Sequence, residues 1–134
     1  MNRALSPQVL GLAQRLLAYE GGAGVPSRLA AVRVSKKLSR PFNTLVGAAG
    51  FRSLLSRALA LGNTEVSFLS AIQVHEDGNL EGFDKVEAQF SNAELAKGEV
   101  IFIAHLIGLL VTFIGEDLTL LLIQEVWPKA TFGD

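Results

Sequence analysis

Apolar residues recur every three or four positions along much of the chain, which is the spacing of helices with one buried face. Ser6 and Pro7 begin the first such stretch, because a Ser hydroxyl caps free backbone amides and Pro fits the first helical turn. Gly21 and Gly22 end it, since glycine is favoured just beyond a helix C-terminus. The pattern therefore predicts a first helix between these two signals.

Two more helices are predicted in the first half of the chain. The second begins at Pro26 and is expected to end near Leu38, because Pro41 disfavours the helical conformation in the residue before it. A short connection over residues 42–50 then leads to the third helix. Its apolar residues keep the helical spacing until Gly62, where the helix is expected to stop.

The pattern changes over residues 66–84. Two short runs, one containing Val74 and the other Leu80, alternate apolar with polar residues. Asp77 and Gly78 lie between the runs, and an Asp-Gly pair favours the tight turn of a β-hairpin. This segment is therefore predicted to form one hairpin.

A long helix follows the hairpin. Ser91 and Glu94 have the spacing of a capping box, which places the helix start at about Asn92 and its end at Ile114. Residues 100–114 are almost all apolar, so this helix lacks the polar face of a surface helix. We expect it to lie at the centre of the fold.

Gly115 interrupts the pattern after this helix. Residues 118–127 then form either a fifth helix or a kinked continuation of the fourth, and Pro128 closes the segment. Residues 129–134 are expected to be a loose tail.

The apolar run over residues 100–114 is too short to cross a bilayer, which requires about 20 apolar residues, and it contains His105 and Gly108. We therefore expect no membrane span. Because the run is apolar on all sides, a second copy of the chain is predicted to cover part of it, most simply in a homodimer. The predicted interface consists of Ile103, Leu106, Leu110, Phe113, Leu121, Leu122 and Trp127.

Length and composition agree with a small helical domain. A chain of 134 residues fits one domain, and 49% hydrophobic with 19% charged residues is apolar for a monomer of this size. The expected fold is mainly α, with four to five helices and one hairpin. It divides into a basic helical half (1–62), the hairpin (66–84) and a hydrophobic helical half (91–128). With no secretory signal visible, a cytoplasmic location is expected.

Charge is unevenly distributed along the chain. Residues 1–60 carry a net charge of +8, with Glu20 as their one acid, whereas residues 61–134 carry −9. The second helix holds a basic stripe at helical spacing, which consists of Arg33, Lys36, Lys37 and Arg40. Such a stripe either binds an anionic ligand or nucleic acid, or is a solvated face that pairs with the acidic half. The second interpretation is favoured, because no aromatic residues alternate with the stripe.

Several residues are of types that can carry chemistry. His105 lies on the most apolar helix and has a weak likeness to phosphotransfer domains, in which a bundle helix carries an exposed histidine; a hydrogen-bonded core histidine is favoured. His75 and its acidic neighbours are predicted to form a solvated hairpin tip rather than a metal site. Gly47 and Gly50 are attributed to a packed turn, because no phosphate-loop lysine follows. No cofactor and no metal are predicted.

The segment GLLVTFIGE at residues 108–116, with VWP at 126–128, resembles the C-terminal part of small uncharacterised bacterial proteins. A weaker likeness extends to residues 50–52 and 77–82. The resemblance implies a bacterial cytosolic origin. The group has no known activity, so no functional residues follow from it.

Three functions remain open from the sequence. The first is a non-enzymatic interaction or regulatory module that associates with itself and possesses a surface for another protein. The second is an anion-binding or nucleic-acid-binding module that uses the basic stripe. The third is histidine phosphotransfer through His105.

Overall fold

A computed structural model describes residues 6–21 and 27–132 of the chain, with only the backbone described for Ser27 and Arg28. These residues form six α-helices, a 3₁₀ helix and one antiparallel hairpin. The helices are α1 (Pro7–Glu20), α2 (Ser27–Val46), α3 (Ala48–Asn63), α4 (Phe83–Glu87), α5 (Asn92–Ile114) and α6 (Glu116–Val126). The 3₁₀ helix (Ser67–Ala71) and the strands β1 (Gln73–Val74) and β2 (Leu80–Glu81) lie between α3 and α4. The prediction of a mainly α-helical fold with one hairpin is confirmed.

Helix α5 is the centre of the molecule. It packs against α1, α2, α3 and α6, and every residue from Ile101 to Leu110 is buried except Leu109, which is partly buried. A helix that is apolar on all sides needs cover on all sides. Here four helices of the same chain supply that cover, so the basic and hydrophobic halves share one core.

The two predicted helix caps are present. The Ser6 hydroxyl accepts a hydrogen bond from the Val9 amide at 3.3 Å and starts α1. Ser91 and Glu94 form a reciprocal capping box at the start of α5, with distances of 3.2 and 3.0 Å. Both starts follow from local side-chain to backbone bonds, which explains why the sequence predicted them.

Helix α2 continues through Pro41 to Val46, so the predicted end near Leu38 is wrong. The predicted connection over residues 42–50 is replaced by α2 and α3 themselves. Leu38 and Phe42 are both fully buried, and the Phe42 ring stacks on Phe51 of α3 at 6.4 Å. Burying Phe42 offsets the cost of an interior proline, about 3 kcal/mol. The predicted start at Pro26 lies outside the described residues.

Two helix corners are each made by one glycine. Gly47 joins α2 to α3 with φ 83° and ψ 156°, and Gly115 joins α5 to α6 with φ 93° and ψ 158°. Each glycine amide bonds to the preceding helix, and each carbonyl accepts the first bond of the next one. Residues with a Cβ are strongly disfavoured in this conformation. Gly115 therefore separates α6 from α5, which makes α6 a helix of its own.

The hairpin forms where it was predicted. Val74 pairs with Leu80, and Gln73 pairs with Glu81. The turn is closed by hydrogen bonds between His75 and Asn79 and between Gly78 and His75, both at 2.9 Å. The short helix α4 directly after the hairpin was not predicted; it buries Phe83 and Val86 against the core.

The chain after α6 is ordered against the core, which corrects the prediction of a loose tail. Ala130 is fully buried, and its carbonyl accepts a hydrogen bond from the Gln124 amide at 2.9 Å. Arg15 of α1 donates to the Thr131 carbonyl at 3.0 Å. These bonds tie residues 129–132 to α1 and α6, and residues 133–134 lie outside the described part.

By length and composition, α5 is the one helix of the described residues that could cross a membrane. In this fold 61% of its most apolar window is buried against the other helices. Core helices of soluble proteins pass the same test, so α5 is weak evidence for a span.

Replacing Gly47 with Ala is expected to lower the free energy of unfolding by about 1–3 kcal/mol, because φ is positive at this corner although space for a Cβ is open. Gly50→Ala, three residues on within α3, is the matched control and should leave stability equal or raise it by up to about 1 kcal/mol. Urea unfolding followed by circular dichroism measures both. Equal stabilities for the two variants would contradict the role of Gly47.

Candidate functional site

The basic stripe on α2 is divided between two sides of the helix. Lys36 lines a cavity toward α3 and the hairpin turn, whereas Lys37 and Arg40 line a groove toward Glu125 at the end of α6. Arg33 points to the end of α1, where it donates to the Glu20 carbonyl at 3.2 Å. The four cations predicted as one binding face are therefore not brought together around a single ligand.

Glu20 is the centre of a polar cluster that links three helices. Its Oε2 atom accepts a hydrogen bond from Lys37 Nζ at 2.7 Å and another from Trp127 Nε1 at 2.9 Å. The side chain of Glu20 is buried, whereas the Lys37 side chain is 44% exposed. One carboxylate thus joins the end of α1 to the middle of α2 and to the residue after α6.

The environment of Glu20 favours its charged form. Burial raises the pKa of this carboxyl, but the hydrogen bonds from Lys37 and Trp127 and the positive charges of Lys37 and Arg33 outweigh burial. The net result is a pKa below the ordinary value of 4.5. Half of the predicted anion-binding stripe is therefore engaged by an internal anion, the one acid of the basic half.

His105 is a core residue. Its side chain is 0% exposed, and Nε2 lies 2.9 Å from Oε2 of Glu65, which follows α3. A phosphotransfer histidine needs a nitrogen that reaches solvent, whereas the His105 side chain is enclosed here. The favoured interpretation, a hydrogen-bonded core histidine, is confirmed.

The hairpin tip carries the other histidine. His75 Nε2 lies 2.9 Å from Oε1 of Glu81 on the facing strand, and both side chains are exposed. Asp77 accepts two hydrogen bonds from Asn79, at 2.9 Å from the backbone amide and 2.8 Å from the side chain. Across the described ranges, no group of three or more His, Asp or Glu side chains is placed to hold a metal ion.

The predicted interface residues separate into buried and exposed sets. Ile103, Leu106 and Leu110 are fully buried, and Trp127 is buried except for 6% of its surface. Their side chains are covered by the chain's own helices, so their assignment to an interface between copies is wrong. The reason is that α5 is a core helix with four neighbours, not a helix with one free face.

The other predicted interface residues lie at the end of α5 and within α6, and they are at least partly exposed. Phe113 is 67% exposed, Leu121 is 58% exposed, and Leu122 is partly buried against the core. Leu118, which the sequence did not single out, is also exposed, one helical turn before Leu121. We call Phe113, Leu118 and Leu121 the corner surface.

Comparisons with protein-family models, with curated proteins and with solved structures found no match to this chain. The resemblance of residues 108–116 to small bacterial proteins thus stays a prediction. Function is inferred below from the geometry of the described residues.

The variant Glu20→Gln tests the polar cluster. Because the folded-state pKa of Glu20 lies below 4.5, its charge stabilises the fold above that pH, and this contribution is lost as pH falls through the lowered pKa. At pH 7 the variant should be less stable than the natural chain by about 1–3 kcal/mol, the scale of hydrogen bonds to a charged group. The difference should shrink below pH 4.5.

Urea unfolding between pH 3 and 7 measures this difference, with the fluorescence of Trp127, the one tryptophan of the chain, as a local signal. Glu76→Gln at the exposed hairpin tip is the matched control, and it should change stability by less than about 0.5 kcal/mol. A stability difference for Glu20→Gln that stays constant with pH would show that its charge is not involved.

Proposed function

We propose that this chain is a non-enzymatic interaction module that forms a homodimer through the corner surface. The observation that carries the proposal is the exposure of Phe113 and Leu121, 67% and 58%, on adjoining helices. Large apolar side chains grouped at a surface commonly mark a site of association.

The exposed apolar residues are concentrated in one part of the sequence, which favours an interaction site over isolated exposed side chains. Among the described residues, five large hydrophobic side chains are exposed, and three of them fall within residues 113–121. Burial of apolar surface contributes about 25 cal/mol per Å² to the free energy of association. An aromatic ring buries a large area and loses little conformational freedom. Phe113 is therefore the expected anchor of the interface.

Charge supports a second copy of the chain as the occupant. Glu116 and Asp117 are exposed in the first turn of α6, beside Leu118. Helix α2 packs next to α6 and carries exposed Arg40 and Leu45. Since the acidic and basic residues are on neighbouring helices, a two-fold rotation can set α6 of one copy against α2 of the other with opposite charges in contact.

The polar groups in the interior support a structural role. Glu20 binds Lys37 and Trp127, and His105 binds Glu65, so these groups hold helices together. Such internal pairs give a rigid framework on which a surface can be presented. We accordingly assign the chain's activity to association, with a second protein as a further partner of the same surface.

The double variant Phe113→Ser, Leu121→Ser tests this proposal. The natural chain should sediment as a dimer at micromolar concentration, because interfaces of standard size have affinities in the micromolar range or tighter. The variant should sediment as a monomer with unchanged helix content, because both side chains lie outside the core. Analytical ultracentrifugation with circular dichroism measures both properties.

Tyr19→Ser is the matched control, since Tyr19 is an exposed apolar residue of similar exposure near the end of α1. This variant should remain a dimer. A natural chain that is monomeric at micromolar concentration, or a double variant that remains dimeric, would overturn the proposal.

A further inference from the structure

A small surface cavity lies on the side of α2 that faces α3 and the hairpin turn. It is bordered by α2, by the start of α3 and by the hairpin turn, with a volume of about 130 Å³. Its polar lining comes from Lys36, Ser39, Asn43, Arg52, Asp77 and Asn79. Three separate segments of the chain therefore meet around one polar space.

The cavity has a positive balance of charge. Lys36 enters from α2 and Arg52 from α3, and neither makes an ion pair within the part of the chain that the structure describes. Asp77 is the one acidic residue of the lining. The backbone hydrogen bond from Asn79 holds the pKa of Asp77 below its ordinary value, so this residue stays charged. Two cations against one anion leave a net positive site.

Hydrogen-bond donors for an anion are also present. Helix α3 begins at Ala48, which lines the cavity, and its cap Gly47 has no side chain to bond the first amides of the helix. Free amides at a helix start carry partial positive charge.

The size of the cavity restricts the ligand. A volume of about 130 Å³ is well below the roughly 300–1,000 Å³ of sites for drug-sized molecules. It suits an oxyanion of a few atoms with some water. Arg and Lys together with backbone amides are the groups that bind phosphate and sulfate in proteins.

We propose that this cavity binds one free oxyanion of phosphate size, held by Lys36, Arg52 and the first turn of α3. The bound anion joins the hairpin turn to α2 and α3, so it stabilises the folded chain. This inference does not depend on the corner surface, which involves α5 and α6.

Titration of the full-length chain with inorganic phosphate tests the site. Calorimetry should give one phosphate per chain, and phosphate should raise the melting temperature above that in sodium chloride of equal ionic strength. The double variant Lys36→Ala, Arg52→Ala should bind at least about tenfold more weakly, because two charge-assisted contacts are lost. Arg57→Ala, an exposed arginine on α3 outside the cavity lining, should bind like the natural chain.

A variant that is expected to bind phosphate more tightly gives a second test of the site. Asp77→Asn removes the negative charge of the lining but keeps an oxygen for the turn, so phosphate affinity should rise several-fold. Amide resonances of Ala48 and Ala49 should move on phosphate addition in the natural chain. The monomeric variant Phe113→Ser, Leu121→Ser should bind phosphate unchanged, which keeps failure of dimerisation distinct from failure of this site.

Several results would overturn the proposal. One is a rise in melting temperature with sodium chloride that equals the rise with phosphate. Another is phosphate binding that is unchanged in the double variant Lys36→Ala, Arg52→Ala. Weaker binding in Asp77→Asn would place the anion elsewhere. Binding of a single-stranded oligonucleotide without binding of free phosphate would assign the cations to nucleic acid instead.

Discussion

The burial of α5 inside its own chain is the constraint on which the rest of the structure depends. A helix that is apolar on every side is stable in water only when each side is covered, and α1, α2, α3 and α6 each contribute an apolar stripe to that cover. The high hydrophobic content of the chain is thus explained mainly by one enclosed helix. Three of the five large hydrophobic side chains that are exposed among the described residues belong to the corner surface.

Charged groups also stabilise this arrangement, because they fix the ends of the packed helices. The uneven distribution of charge along the chain suggested attraction between a basic and an acidic half. The closest ion pair of α2 is instead with Glu20, inside the basic half, at 2.7 Å. Because this carboxylate also accepts from Trp127, the C-terminal end of the chain is anchored to α1 and α2. The basic stripe is therefore divided, and its cations lie in different environments on two sides of α2.

Local chemistry accounts for the features that the sequence predicted well. The caps at Ser6 and Ser91 and the Asp77-Gly78 turn each depend on residues within a few positions of one another. The helix through Pro41 and the buried residue Ala130 depend on partners far away in the sequence. Phe42 stacks on Phe51 across a corner, and no periodicity reveals that such a contact outweighs an interior proline.

The sequence by itself determined the helical class, the hairpin, and the fact that one long helix must be hidden from water, because these follow from residue spacing and local capping. It also predicted Phe113 and Leu121 as interface residues, and both are exposed in the structure. Only the tertiary structure decided that Ile103, Leu106, Leu110 and Trp127 are enclosed by the same chain and that Lys36 and Arg52 line one cavity. The physical reason is that exposure is a property of how helices pack, and one apolar pattern suits a core and an interface equally well.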